Sequence, residues 1–280
     1  MKKSNVIIML AATICFACAQ QNQEPCSKND KLSGAMRLPM QGNQGMGVLD
    51  GSPYHYEIWV DRGGAEGAEL YWYGANRGGG AAFRAEWKNP DCYLGRIGYF
   101  WGDGQPYTAY KNIYCDFNYT RSANGTAGGW SYIGIYGWAR NPDAVDPDKR
   151  LIEYYIVDDW FGDSQLGVKT ICPEGCEPVG SITVDGGNYL IYTNIRVEKP
   201  SIDGTQTFIQ YFSIRQDMEQ ERRQSGTISV TEHFKKWEEL GLELGNMYEA
   251  KFLVEAGGGT GWIDLSYLSF SMEDKPRRNN

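Results

Sequence analysis

The chain has 280 residues, 27 Lys and Arg against 35 Asp and Glu for a formal charge of −8, and 35 Gly, 19 Tyr and 9 Trp. That length suits one large all-β domain or two small ones, and no basic stretch interleaved with aromatics is present to bind nucleic acid. The two histidines, His55 and His233, lie far apart and neither stands in a ligand pattern, so a histidine metal site or a Ser-His-Asp triad lacks support.

Met1-Lys2-Lys3 precedes an apolar run that reaches Ala17. This is the form of a secretory signal, a basic start and a short apolar stretch, too short to span a bilayer comfortably. Ala17-Cys18-Ala19 offers a small-residue cleavage site, which assigns residues 1–19 to the signal. Removing Lys2 and Lys3 with it leaves 25 basic against 35 acidic side chains, or −10. The competing reading is a bacterial lipoprotein signal with Cys18 lipidated, which Cys15-Phe16-Ala17 fits poorly. The first predicts a secreted protein and the second an outer-surface lipoprotein. Residues 20–48 are rich in Gln, Asn, Ser and Gly and read as a flexible polar arm. Export permits disulfides. Cys172 and Cys176 flank Pro173-Glu174-Gly175 and suit a short closed loop; Cys92 and Cys115 lie in expected strands and can pair if those strands are neighbours. Cys26 is left over.

From residue 54 onward short strands alternate with Gly-rich turns: 54–60, 69–73, 82–87, 92–100, 107–119 and 129–139. Such regular strands point to a sandwich or jelly roll. Side chains alternate across a strand. Tyr132, Gly134, Tyr136 and Trp138 therefore share one face, while Ile133 and Ile135 face a core. The segment Asn141 to Arg150, rich in Asp and Pro, reads as a surface loop. Residues 151–159, Leu-Ile-Glu-Tyr-Tyr-Ile-Val-Asp-Asp, form the next strand. Ile152, Tyr154 and Ile156 face the core. Glu153, Tyr155 and Val157 face the other way, where a carboxylate among aromatic and apolar side chains is costly without a partner or a task.

Residues 181–185 and 189–197 form a hairpin, with Leu190, Tyr192, Asn194 and Arg196 on one face. A turn at Lys199-Pro200-Ser201-Ile202-Asp203-Gly204 leads to a strand over 207–215, with Phe208, Gln210 and Phe212 on one face. The single clear helix spans 231–240, with Thr231 as the expected N-cap and His233 as a structural residue. A strand over 248–257 carries Glu255 at the end of an apolar run, where burial raises a carboxyl pKa. Residues 262–272 close the sheet, and 274–280 read as a polar tail.

Tyr136-Gly137-Trp138, the 151–158 strand with Trp160, the Pro200-Ser201-Ile202-Asp203-Gly204 turn and Glu255 together resemble glycoside hydrolase family 11 xylanases. The motifs occur in the family order over residues 50–272. The stretch 143–150 looks inserted relative to the family. The resemblance implies an all-β jelly-roll sandwich of two strongly twisted antiparallel sheets with one α-helix, its concave sheet forming a substrate cleft, over residues 49–273. It implies a retaining endo-β-1,4-xylanase, a monomer acting on xylan without metal or cofactor. Glu153 then corresponds to the nucleophile and Glu255 to the acid/base. Tyr136 and Tyr155 correspond to hydrogen-bonding residues at the reaction centre. Trp59, Tyr132 and Trp138 would offer faces to sugar rings, and Arg196, Gln210, Pro200, Ser201 and Ile202 would close over the substrate. One departure stands out. Family members often carry Asn or Asp beside the acid/base, and Cys92 occupies that place here. Two other readings of the same fold are a non-catalytic carbohydrate-binding module and a glucan-cleaving hydrolase.

Overall fold

β-Branched and aromatic residues in alternating order, broken by Gly-rich turns, give sixteen strands and one helix among the described residues. The computed structural model describes residues 32–61, 67–122, 130–161, 177–216 and 222–277. Gly34–Asn280 forms one compact unit. The signal segment with Cys18, Cys26 and the Cys172–Cys176 loop lie outside the described residues. In chain order the strands are β1 (Met36–Arg37), β2 (Gln44–Val48), β3 (His55–Val60), β4 (Glu69–Trp72), β5 (Phe83–Lys88), β6 (Tyr93–Phe100), β7 (Asn112–Arg121) and β8 (Trp130–Arg140). They continue as β9 (Leu151–Asp159), β10 (Gly180–Val184), β11 (Gly187–Ser201), β12 (Gly204–Arg215) and β13 (Ser225–Ser229). Helix α1 (Val230–Glu239) follows, then β14 (Asn246–Met247), β15 (Glu249–Gly257) and β16 (Thr260–Glu273).

The strands form a jelly-roll sandwich. The smaller sheet runs β1-β4-β5-β16-β7-β13, and the larger runs β10-β11-β12-β9-β8-β15-β6-β3-β2, with β14 paired to β8. The alternation read from the sequence divides the large sheet as expected. Ile133, Ile135, Ile152, Tyr154 and Ile156 join the main core between the sheets. Tyr132, Tyr136, Trp138, Tyr155 and Val157 join a second cluster on the opposite face, with Leu94, Phe208, Phe212 and Leu253. Helix α1 packs Phe234 and Trp237 on Tyr154, with ring centroids 5.1 and 5.9 Å apart. The glycine in Tyr136-Gly137-Trp138 is required by close approach: a Cβ there would collide with the Glu249 carbonyl oxygen and the Tyr154 ring.

Several expectations are corrected. The sheets are not purely antiparallel, because β9 and β12 pair in parallel, with Glu153 opposite Gln210. Two hairpins separate those strands in sequence, so the chain returns to β9 in the same direction. Within the polar stretch 20–48, residues 36–37 and 44–48 are strands, paired to β4 and β3 through their backbones. Residues 107–110 are a 3₁₀ turn, and the strand begins only at Asn112. Thr231 is not the N-cap of α1. Ser229 holds that place without a side-chain cap bond, and the Thr231 hydroxyl accepts the Ile113 N–H at 2.8 Å, tying the helix to β7. Cys92 and Cys115 are both free; Cys92 precedes β6 of the large sheet, whereas Cys115 lies in β7 of the small one. His233 is buried under Tyr189, with ring centroids 4.8 Å apart, and burial pushes it down to about 3.

Candidate active site

Glu153 on β9 and Glu255 on β15 lie on the two sides of β8 in the large sheet, both on the face away from the main core. In register, Glu153 stands opposite Trp138 and Glu255 opposite Tyr132. Both are nearly covered, at 8% and 7% exposure. What differs is the company each keeps.

Glu153 is held by neutral donors. The Tyr136 hydroxyl donates to its Oε1 at 2.6 Å, the Tyr155 hydroxyl to the same oxygen at 3.1 Å, and Gln210 Nε2 to Oε2 at 2.5 Å. Gln210 is fixed in turn by Asn194, whose Nδ2 donates to its Oε1 at 2.9 Å. Burial raises the Glu153 pKa, and the bonds from Tyr136, Gln210 and Tyr155, with the charge of Arg196, pull it back in part. Glu255 has fewer partners. The Cys92 thiol donates weakly to its Oε1 across 3.8 Å. Burial, then the charge of Glu153, push Glu255 up to about 8. The donors at Glu153 offset its burial in part, whereas Glu255 is set to keep its proton near neutrality, and a difference between two carboxyls is what acid–base chemistry at a single bond requires. Burial, followed by the charge of Glu255, also raises the Cys92 thiol far above its ordinary range.

The remaining expected residues gather around this pair. Trp59 on β3 is half-buried and packs against the cleft cluster, so it keeps an open face. Tyr132 and Trp138 are more covered. Tyr132 meets Tyr155 edge-on at 5.4 Å and Phe212 at 6.3 Å, and Trp138 lies against Phe208 at 5.0 Å. Both are buried, at 8% and 3% exposure, with neighbouring rings against part of each. Arg196 stands on β11 opposite Phe208, partly exposed.

Pro200, Ser201 and Ile202 form the end of the β11–β12 hairpin, where Ser201 pairs with Gly204. The Ser201 hydroxyl donates to the Gly204 carbonyl at 2.6 Å and accepts from Asp203 N at 3.1 Å, which shapes the tip. Ile202 packs against the cleft cluster. Arg140, at the end of β8, reaches this tip: its Nη2 donates to Asp203 Oδ1 at 2.6 Å, and its guanidinium lies over the Tyr248 ring at 4.7 Å.

Sequence reasoning passed over four charged residues beside the pair: Glu57 on β3, Arg96 on β6, and Glu249 and Lys251 on β15. The signal was available. Glu249, Lys251, Leu253 and Glu255 alternate along one strand and so share a face. Among the described residues no group of three or more His, Cys, Asp or Glu side chains is arranged to hold a metal ion.

Residues 52–266 match the family model described as glycosyl hydrolases family 11. Among curated proteins, endo-1,4-beta-xylanase C of Fibrobacter succinogenes is 43% identical over 251 residues, which covers 89% of this chain and 35% of the relative. Endo-1,4-beta-xylanase S20 of Neocallimastix patriciarum is 37% identical over 269 residues, covering 94% of this chain and 70% of the relative. The chain therefore spans about a third of the first relative's length and more of the second's. Among solved structures, a crystal structure of an ENZbleach xylanase mutant matches with a TM-score of 0.77 and 50% identity, covering 91% of this chain and 94% of the other.

Proposed function

The chain belongs to glycosyl hydrolases family 11, and on that premise we propose that it is an endo-β-1,4-xylanase that cleaves internal bonds of xylan with retention of configuration. The observation that carries this reading is the pair of buried carboxyls on one cleft face whose surroundings differ, strong neutral donors at Glu153 and a weak thiol donor beside the charge of Glu153 at Glu255.

Retaining hydrolysis needs two carboxyls about 5–5.5 Å apart. In the first step Glu153 attacks the anomeric carbon as the carbon–oxygen bond to the leaving sugar breaks. Glu255 gives its proton to that leaving oxygen. A glycosyl ester on Glu153 results, and the charge that raised Glu255 is gone. Its pKa falls accordingly, which suits its second task. As a carboxylate it takes a proton from water while the water oxygen attacks the anomeric carbon, and the Glu153 carboxylate leaves. Tyr136, Tyr155 and Gln210 hold the nucleophile, and Trp59 offers a flat face to a sugar ring. Arg196 and the hairpin tip at Pro200, Ser201 and Ile202 would close over the chain. The amino-terminal signal adds export, as a secreted monomer or anchored at Cys18.

The test is reducing-end release from xylan and from carboxymethylcellulose, with proton NMR of the first products. We expect cleavage of xylan alone and a β-configured new end. Comparable cleavage of the cellulose derivative would favour the glucan-cleaving reading. Binding to xylan without cleavage would favour a carbohydrate-binding module. An α-configured first product would exclude retention.

A further inference from the structure

Arg96 is 3% exposed on the cleft face of β6. A guanidinium at that depth loses its hydration and must be paired. Its Nε and Nη2 donate to Glu57 Oε2 at 3.1 and 2.5 Å, and Nη2 lies 3.1 Å from Glu249 Oε1. Lys251 completes the group, with Nζ 2.7 Å from Glu249 Oε2 and 3.5 Å from Glu57 Oε2. Nη1 makes no hydrogen bond among the described residues. The guanidinium carbon lies 4.2 Å from the centroid of the Tyr136 ring, a cation–π distance, and the Tyr136 hydroxyl donates to Glu153.

These contacts form a row across the large sheet: Glu57 on β3, Arg96 on β6, Tyr136 on β8, Glu153 on β9, Gln210 on β12 and Asn194 on β11. Lys251 and Glu249 of β15 fill the interval between Arg96 and Tyr136 in strand order. A buried ion cluster adds little stability over apolar side chains of the same volume. What it supplies is a fixed place for a rigid, planar cation.

We propose that Arg96 is a positioning residue for the reaction: clamped by Glu57 and Glu249, its guanidinium seats the Tyr136 ring and so fixes the hydroxyl that donates to Glu153. The inference rests on the proposed function, because it concerns how the nucleophile of that reaction is held. The charged and titratable groups facing Arg96 are Glu57 from β3, Glu249, Lys251 and Glu255 from β15, and Tyr136 from β8. Arg96 also draws Glu255 downward. Removing its charge would raise Glu255 and move the alkaline limb of activity to higher pH. Loosening Tyr136 would weaken a donor to Glu153 and move the acid limb the same way.

The test is a double-mutant cycle of Arg96→Met and Tyr136→Phe in the full chain, read by kcat and KM on xylan. A hydrogen bond to a charged group sets the scale: Arg96→Met should lower kcat about tenfold or more, leave KM nearly unchanged and shift both pH limbs upward. In the Tyr136→Phe background the same change should cost less than about threefold, because the hydroxyl it acts through is gone. Equal losses in both backgrounds, or a loss confined to KM, would overturn the proposal. If thermal unfolding shows that Arg96→Met does not fold, Arg96→Lys keeps the charge between Glu57 and Glu249, removes the planar seat and enters the same cycle. A ¹³C-glutamate NMR titration of Glu153, assigned with Glu153→Gln, reads the contact without substrate. Its midpoint should rise on loss of Arg96 only when Tyr136 is present, and an unchanged midpoint refutes the seat whatever the substrate.

Discussion

Glu153 and Asp158 lie on one strand, β9, with their carboxyls buried on opposite faces, at 8% and 2% exposure. Depth does not separate them; their neighbours do. Burial pushes Asp158 up, and Arg223 leads the groups that pull it back, with Nη2 2.5 Å from Oδ1 and Nε 2.9 Å from Oδ2. Tyr189 donates at 2.6 Å and Arg215 at 3.3 Å, and the net effect holds Asp158 below its ordinary value. Glu153 receives two phenols and an amide instead, and stays above its ordinary value. Two cations in contact lock a carboxylate into the fold. Neutral donors orient it and leave its charge available for bond making.

The largest effect that would break this contrast is a pair of isosteric changes. Glu153→Gln should lower xylan hydrolysis by about 10⁴-fold or more and leave the unfolding midpoint unchanged or raised, since a poorly compensated charge is removed. Asp158→Asn should retain hydrolysis in the folded protein yet cost about 3–5 kcal/mol in denaturant unfolding, because Arg223 and Arg215 lose their counter-charge. Exchange of those two outcomes would show that partners do not decide the role.

Next in size is Glu255. Glu255→Gln should reduce turnover by about 10²–10⁴-fold. In the unmodified chain activity should hold up to about pH 8 and fall above it, as the acid loses its proton. The linkage to stability runs in opposite directions for the two kinds of carboxyl. The raised pKa of Glu255 stabilises the fold at low pH, and that contribution is lost as pH rises from 4.5 through about 8. The lowered pKa of Asp158 contributes fully above 3.8 and is lost as pH falls through its depressed value. Unfolding measured against pH should therefore lose, in Glu255→Gln, the decline between pH 4.5 and about 8, and in Asp158→Asn part of its slope at acid pH.

The smallest effect concerns Cys92. Its thiol is a weak donor at 3.8 Å, so Cys92→Ser should change kcat by less than about threefold. With its pKa pushed up by burial and by Glu255, the thiol should also resist iodoacetamide at pH 8, read by mass spectrometry. Rapid alkylation there would show that Glu255 stands in a wetter setting than the one that raises it.

The alternation in 151–159 made the two faces of β9 legible before any coordinates, because a strand's period leaves one assignment of each side chain. It placed Tyr155 with Glu153 and Tyr154 with the core. It said nothing about partners. The cations around Asp158 come from β12 and from the chain before β13, and nothing in the local sequence announces them. Arg96 was unread for the same reason, since its anions arrive from β3 and β15. Tyr132 and Trp138 were placed on the correct face, yet their coverage by Phe212 and Phe208 depends on β12 lying beside β9 in the same sheet. The parallel pairing of β9 with β12 was likewise invisible, since pairing direction depends on the route of the intervening chain.

That pairing bears on how the protein reaches its active form. At Glu153 the bond from Tyr155 spans two residues and that from Tyr136 17, but the bond from Gln210 spans 57, and the contact between Cys92 and Glu255 spans 163. Contacts so distant along the chain are closed late and slowly, because loop entropy must be overcome before they can form. The β8–β9 hairpin can bring Tyr136 and Tyr155 to Glu153 by itself, but it holds neither Gln210 nor Glu255. On the proposed function, competence to cut a glycosidic bond waits for β12 to dock beside β9 and β15 beside β8, so regained activity after unfolding would clock those two pairings.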